Sequence, residues 1–217
     1  MNRENFEAKG IFVEESTKLY GPMFIEKGVK IWHHCLIGFS GKDEDFTLEN
    51  TDIEHSDVTF LGEGTVVNPF SIIFRGARIG KKVEIKEHSR VGSRTIIGDG
   101  TKIVYGAKIY NDVIIGNRCI VTGFCCNGCK IGNESTMMGH LIHKYPIHAI
   151  DDWDDEEMED PPSPIIEDNV IVGYNSIIIG GVTIGKNSYI AAGTIITRDV
   201  PRNTKVIMSR ILKMADR

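Results

Sequence analysis

The chain has 217 residues, 41% of them hydrophobic and 25% charged, with a formal net charge of −5. That length suffices for one large domain with an apolar interior, and the charge gives no reason to expect nucleic acid as a partner. Five cysteines frame no disulfide set, the opening MNRENFEAKG lacks an apolar signal core, and no run reaches membrane-spanning length. The expectation is therefore a reduced, cytoplasmic protein with no membrane partner.

An aliphatic residue returns at every sixth position near the start, at Val13, Leu19, Ile25, Ile31 and Ile37. Helical periodicity cannot produce this, because residues six apart on a helix lie on different faces. Short strands with a corner every six residues do produce it. Three such units close a triangular coil of eighteen residues with the anchors stacked inside. Each strand then pairs with its equivalent one coil away, at about 4.8 Å along the axis.

Residues 38–60 interrupt the rhythm, since Asp43, Glu49 and His55 occupy anchor positions, and the segment is expected to leave the coil. From Leu61 the rhythm runs without a miss through Val67, Ile73, Ile79, Ile85, Val91, Ile97, Ile103, Ile109, Ile115 and Val121. Gly often follows the anchor, as in IIGDG and KIGNE, with Asn or Asp close behind. These residue types tolerate the left-handed backbone that a tight corner is expected to need. His88 sits mid-unit in this run and reads as a surface residue.

After Val121 the next anchor would be residue 127, which is Asn127; the rhythm resumes two residues early at Ile131 and continues at Met137. The stretch CCNGC falls at this slip. Cys126 and Cys129 form a CxxC pair, but no second pair completes a zinc site, so Cys125, Cys126 and Cys129 are expected as small fillers of an irregular coil. Residues 140–164 form a second excursion, with Pro146, Pro161, Pro162 and Pro164 excluding a regular central strand. It carries His140, His143 and His148. The first excursion holds seven acidic residues against one lysine and the second eight against one, which leaves the rest of the chain net positive. A basic body suits a phosphate-bearing ligand, and acidic loops suit either an amine-bearing acceptor or simply a solvated surface. Anchors return at Ile166, Val172, Ile178, Ile184, Ile190 and Ile196, followed by a tail from about residue 202.

This succession of units resembles the left-handed parallel β-helix of the hexapeptide-repeat acyltransferases over about three quarters of the chain. The expected fold is all-β: a single domain over 1–217, a left-handed parallel β-helix of about eight triangular coils, two long loop excursions and a short C-terminal tail. Eight coils would stand about 38 Å tall. The pattern is most similar to sugar and antibiotic O- or N-acetyltransferases. The resemblance implies a homotrimer with sites at subunit junctions, acetyl-CoA as acyl donor and no metal. The acceptor would be a hydroxyl or amine of a small molecule such as a sugar or nucleotide sugar.

The resemblance also places a histidine base where the chain leaves the coil, which makes His140 the first candidate and His143 the second. Imidazole suits the task because its pKa lies near operating pH. No serine or cysteine nucleophile is required when donor and acceptor bind together. For the donor, the family match in IIEDNVIVGYNSIIIGGVTIGKNSYIAAGTIITRDVP implies roles for six residues. Tyr174 would meet the thioester arm, Gly180 and Gly181 would let the pantetheine approach, and Ala192 would line its groove. Thr197 and Arg198 would meet the nucleotide end. The G-x-P-A-type element that commonly follows is replaced here by RNTKVIMSRILKMADR.

Two other readings compete. The γ-class carbonic anhydrases share this fold and use histidines five apart, a spacing matched by His143 and His148, but Ala77 in FRGARIG stands where that family has an acid. A non-catalytic β-helix subunit would bind no coenzyme and would not depend on His140.

Overall fold

In the computed structural model, residues 8–41, 57–145 and 161–207 are described. Twenty-seven short strands among them form three parallel sheets of ten, nine and eight strands. The sheets are the faces of a prism of about nine turns. Face 1 runs from Phe12–Val13 to Lys205–Val206, face 2 from Lys18–Leu19 to Ile195–Ile196, and face 3 from Met23–Ile25 to Thr183–Ile184. Anchors pair with anchors one coil on, as in Val67↔Ile85↔Ile103↔Val121. Apart from the partly buried Val13 and Leu19 at the first coil, the anchors are buried, and their stacked side chains are the core. Each contributes about 1.5–3 kcal/mol through burial.

A second inward position, two residues before each anchor, holds small residues, and many of these are Ser or Thr. Their hydroxyls are satisfied inside the corners: Thr65, Thr95 and Thr101 each donate to a carbonyl fifteen residues on at 2.8 Å. A buried hydroxyl without such an acceptor would cost stability, so the pattern selects residues that can turn inward and bond.

The corners work differently from the expectation. The left-handed residue is the third after the anchor, at positions such as His34, Lys82, His88, Arg118 and Asn187, and it is often not glycine. Gly80, Gly98, Gly116 and Gly132, directly after their anchors, have ordinary φ. They are glycine because the next coil lies against them: a Cβ on Gly98 would stand 2.6 Å from the Asn117 side chain and from the Gly116 backbone. The Asn or Asp that follows turns its oxygen back to a backbone N–H of the preceding coil, as Asp99 does to Lys81 (2.7 Å) and Asn117 to Asp99 (2.8 Å). His88 is exposed, as expected, and stacks on Phe70 at 5.0 Å.

The coil also extends further than expected in three places. Leu36–Phe39 and Thr59–Leu61 are strands, paired to Ile72–Phe74 and Met23–Ile25. His140–Ile142 is a strand between Phe124–Cys125 and Ile177–Ile179, so the chain departs after Ile142 and not at residue 140. Lys205–Val206 pairs with Tyr189–Ile190, inside the expected tail. Asp43, Glu49, His55 and His148 lie outside the described residues. Among the described residues no helix is long and apolar enough to cross a membrane.

Candidate active site

The irregular units fall on the two borders of face 2. On its border with face 1, the anchors Val121 and Cys125 are four residues apart, as are Met137 and Leu141. Cys125 takes the interior place expected of residue 127, stacked between Ile109 and Leu141. Both corners lose two residues, and glycines make this possible. A Cβ on Gly123 would lie 2.0 Å from the Gly139 carbonyl oxygen, and one on Gly139 would lie 2.2 Å from that of Ser176. Full corners on either side project Tyr105 and Tyr174, which are 64% and 59% exposed. Between them the border is notched over two coils, roughly 10 Å.

His140 follows this notch directly. Its backbone N–H donates to the Ser176 carbonyl at 2.8 Å, and its half-buried ring reaches back so that a Cβ on Gly123 would stand 3.5 Å from Nδ1. No hydrogen bond to the ring is made among the described residues. On the outer surface His140 lies between Phe124 and Ile177.

The border with face 3 is built the opposite way, by addition of chain. Leu141 points inward, Ile142 pairs with Ile179, and His143 then begins the excursion. His143 Nε2 lies 3.1 Å from the Asn127 carbonyl oxygen and 3.0 Å from Ser163 Oγ, while Nδ1 lies 3.4 Å from the Tyr145 hydroxyl. Ser163 Oγ donates to the same Asn127 oxygen at 2.6 Å. A carbonyl oxygen only accepts, so the hydrogen of the neutral imidazole sits on Nε2 and its lone pair on Nδ1.

Three glycines seat the two ends of the excursion. A Cβ on Gly180 would meet Lys144 Cβ at 3.1 Å, one on Gly181 would meet Pro162 at 2.7 Å, and one on Gly128 would meet Ser163 Oγ at 3.3 Å. Gly180 and Gly181 thus admit the chain's own Lys144 and Pro162, where the excursion leaves and re-enters over them.

The remaining donor candidates divide between the borders. Tyr174 and Ala192 sit on the corners beside the notch, and Thr197 and Arg198 sit on the border with face 3; all four are exposed. His140 and His143 are three residues apart, about 10 Å of extended chain, so both borders are within reach of one elongated ligand. The reading of the residues missed Asn127, Tyr145 and Ser163. Asn127 had a signal, being polar at an expected anchor, and Ser163 stands in PPSP.

Cys125, Cys126 and Cys129 are buried and free, and fill the irregular coil. Contact with the Cys125 thiol, ahead of burial, pushes the Cys129 thiol well above its ordinary range. No cluster of His, Cys, Asp or Glu with metal-holding geometry occurs among the described residues.

The family model of the bacterial transferase hexapeptide (six repeats) matches residues 163–198. The bifunctional protein GlmU of Thermodesulfovibrio yellowstonii is 29% identical over 208 residues, covering 91% of this chain and 38% of that protein. GlmU of Clostridium beijerinckii is 30% identical over 196 residues, covering 88% and 37%. The chain thus spans well under half the length of the curated relatives it matches. Among solved structures, the UDP-N-acetylglucosamine O-acyltransferase of Moraxella catarrhalis is 14% identical, with 83% of this chain and 67% of that one covered at a TM-score of 0.44.

Proposed function

We propose that this chain, a member of the hexapeptide-repeat acyltransferase superfamily, transfers an acyl group from coenzyme A to a small acceptor with His143 as general base. Acetyl is the group proposed, and the acceptor is a hydroxyl or amine on a sugar or nucleotide sugar. A trimer and a cytoplasmic setting belong to the same reading; five buried thiols in no disulfide suit a reducing compartment.

The observation that carries the reading is the Asn127 backbone carbonyl oxygen set against His143 Nε2, which assigns the ring hydrogen to that nitrogen. A general base needs a lone pair held toward the acceptor and a partner behind the ring that orients it. The Asn127 carbonyl supplies that partner, 3.1 Å from Nε2. The acceptor takes the place of the Tyr145 hydroxyl that faces Nδ1 at 3.4 Å, and loses its proton to Nδ1 as its oxygen or nitrogen attacks the thioester carbonyl. The resulting imidazolium is stabilised by the Asn127 oxygen, which accepts from its Nε2–H. Collapse of the tetrahedral adduct breaks the C–S bond, and the proton passes from Nδ1 to the departing thiolate. The base is then neutral again, in the tautomer it started with. Thr197 and Arg198 offer a hydroxyl and a cation on the same border, suited to the nucleotide phosphates of the donor.

Among the described residues His140 has no such support behind its ring, and its notch suits it to contact with the bound ligand. The deciding experiment measures thiol release from acetyl-CoA with a panel of amino sugars and nucleotide sugars. His143→Ala is expected to lower turnover by about 10²- to 10⁴-fold, with donor affinity unchanged. His140→Ala is expected to lower it by less than about tenfold. The reverse order would move the base to His140. Failure of the wild-type protein to bind acetyl-CoA at all would sink the reading.

A further inference from the structure

We propose that Ser163 is a positioning residue for the base, locking His143 from the far end of the excursion; this rests on the reading of His143 given above. Three segments meet at the imidazole. His143 leaves the coil, Asn127 belongs to the neighbouring corner, and Ser163 stands where the excursion re-enters. Ser163 Oγ is 3.0 Å from His143 Nε2 and 2.6 Å from the Asn127 oxygen that Nε2 also faces.

The direction of these bonds follows from the acceptor. The Asn127 backbone carbonyl offers only lone pairs, so the serine hydrogen goes to its oxygen, and Ser163 Oγ presents its own lone pair to Nε2–H. The imidazole hydrogen is thus shared between two oxygens. Both bonds strengthen when the ring takes up the acceptor's proton and becomes cationic. The same geometry argues against Ser163 as an acyl-accepting nucleophile. That role would need the Nε2 lone pair to face the serine, and hence the carbonyl lone pairs beside it.

The surrounding sequence holds Ser163 still. It lies between Pro162 and Pro164. Proline fixes its own φ and confines the residue before it to extended backbone, so Ser163 has little conformational freedom. Pro162 rests on Gly181, Gly128 leaves room for the serine hydroxyl, and the carbonyl of buried Pro164 accepts the Lys130 N–H at 3.2 Å. The serine is delivered to the ring by backbone that is anchored on both sides.

The test combines kinetics with histidine NMR on the full chain. In Ser163→Ala, loss of one acceptor from the imidazolium should lower the His143 pKa and shift the acid limb of the kcat profile to lower pH. It should also reduce kcat roughly 10- to 100-fold at the plateau, with donor affinity unchanged. Ser163→Thr keeps the hydroxyl and should restore both readouts, and Ser163→Cys should resemble alanine. The NMR titration of His143 needs no acceptor, so it reads the coupling even where turnover is not observed. An unchanged His143 titration in Ser163→Ala overturns the proposal. So does an acetyl adduct on Ser163 after exposure to acetyl-CoA. An inactive His143→Ala beside a fully active Ser163→Ala overturns this inference alone, whereas a fully active His143→Ala removes the reading beneath it.

Discussion

The two borders of face 2 hold the two histidines three residues apart, and they were made by opposite operations on the same repeat. At one border two corners lose residues, and His140 is left over a bare glycine backbone. At the other border residues are inserted, and His143 is met by groups from Asn127, Tyr145 and Ser163. Deletion creates space, whereas insertion brings partners. An imidazole is oriented only in the second setting, because orientation requires atoms from elsewhere in the chain.

The largest effect is expected where space was created. Gly123 has φ +77° and would place a Cβ 2.0 Å from the Gly139 oxygen. Gly106, in a full corner of the same border, has φ +68° and nothing within 4 Å of its Cβ position. Gly123→Ala is expected to cost about 3 kcal/mol or more, and Gly106→Ala about 1 kcal/mol, since only the first adds overpacking to backbone strain. Urea unfolding of the two variants checks this. Equal losses would mean that the stacked short corners can spread apart, and the notch would not be a rigid feature.

A smaller effect is expected at the border that gained chain. Gly181→Ala would press on Pro162 and so displace Ser163. The expected result is lower kcat, about tenfold or less, with acetyl-CoA affinity unchanged. Weaker coenzyme binding with normal kcat would instead show Gly181 facing the donor, as the family resemblance implies. Measuring both quantities on one variant separates the two uses of the glycine.

The coil was legible because burial repeats with the period of the backbone. An unbroken run from Leu61 to Val121 leaves strands and corners as the only arrangement that puts every anchor inside. The corner chemistry was half legible. Gly98 and Asp99 mark a corner, but what makes them necessary is contact with Gly116 and Asn117 of the next coil, which a local reading of φ preference does not include. Cys125 was hidden as an anchor because shortening a unit to four residues moves the inward position off the six-residue grid. For the candidate site, the sequence showed only where the repeat breaks next to histidines. Which histidine is oriented depends on Asn127 and Ser163, 16 and 20 residues from His143, and no spacing rule connects them. The donor candidates appear contiguous in sequence, yet alternate corners send Tyr174 and Ala192 to one border and Thr197 and Arg198 to the other.

The third border, between faces 3 and 1, keeps regular corners and serves as the reference for both. There Asp168 accepts the Asn133 backbone N–H at 2.8 Å, and this bond, with Lys186 adding to it, holds the carboxyl below its ordinary pKa of 3.8. A depressed carboxylate pKa stabilises the fold above the unfolded value and loses that contribution as pH falls through the folded one. Asp168→Asn keeps an oxygen for the Asn133 N–H but cannot titrate. The variant should therefore lose less stability than the wild type between about pH 5 and pH 2, with only a small difference at pH 7. Thermal unfolding across that range checks the slope. Parallel curves would show that Asp168 holds its neighbour through hydrogen-bond geometry alone, as the uncharged Asn117 and Asn133 do at the same position in their own coils.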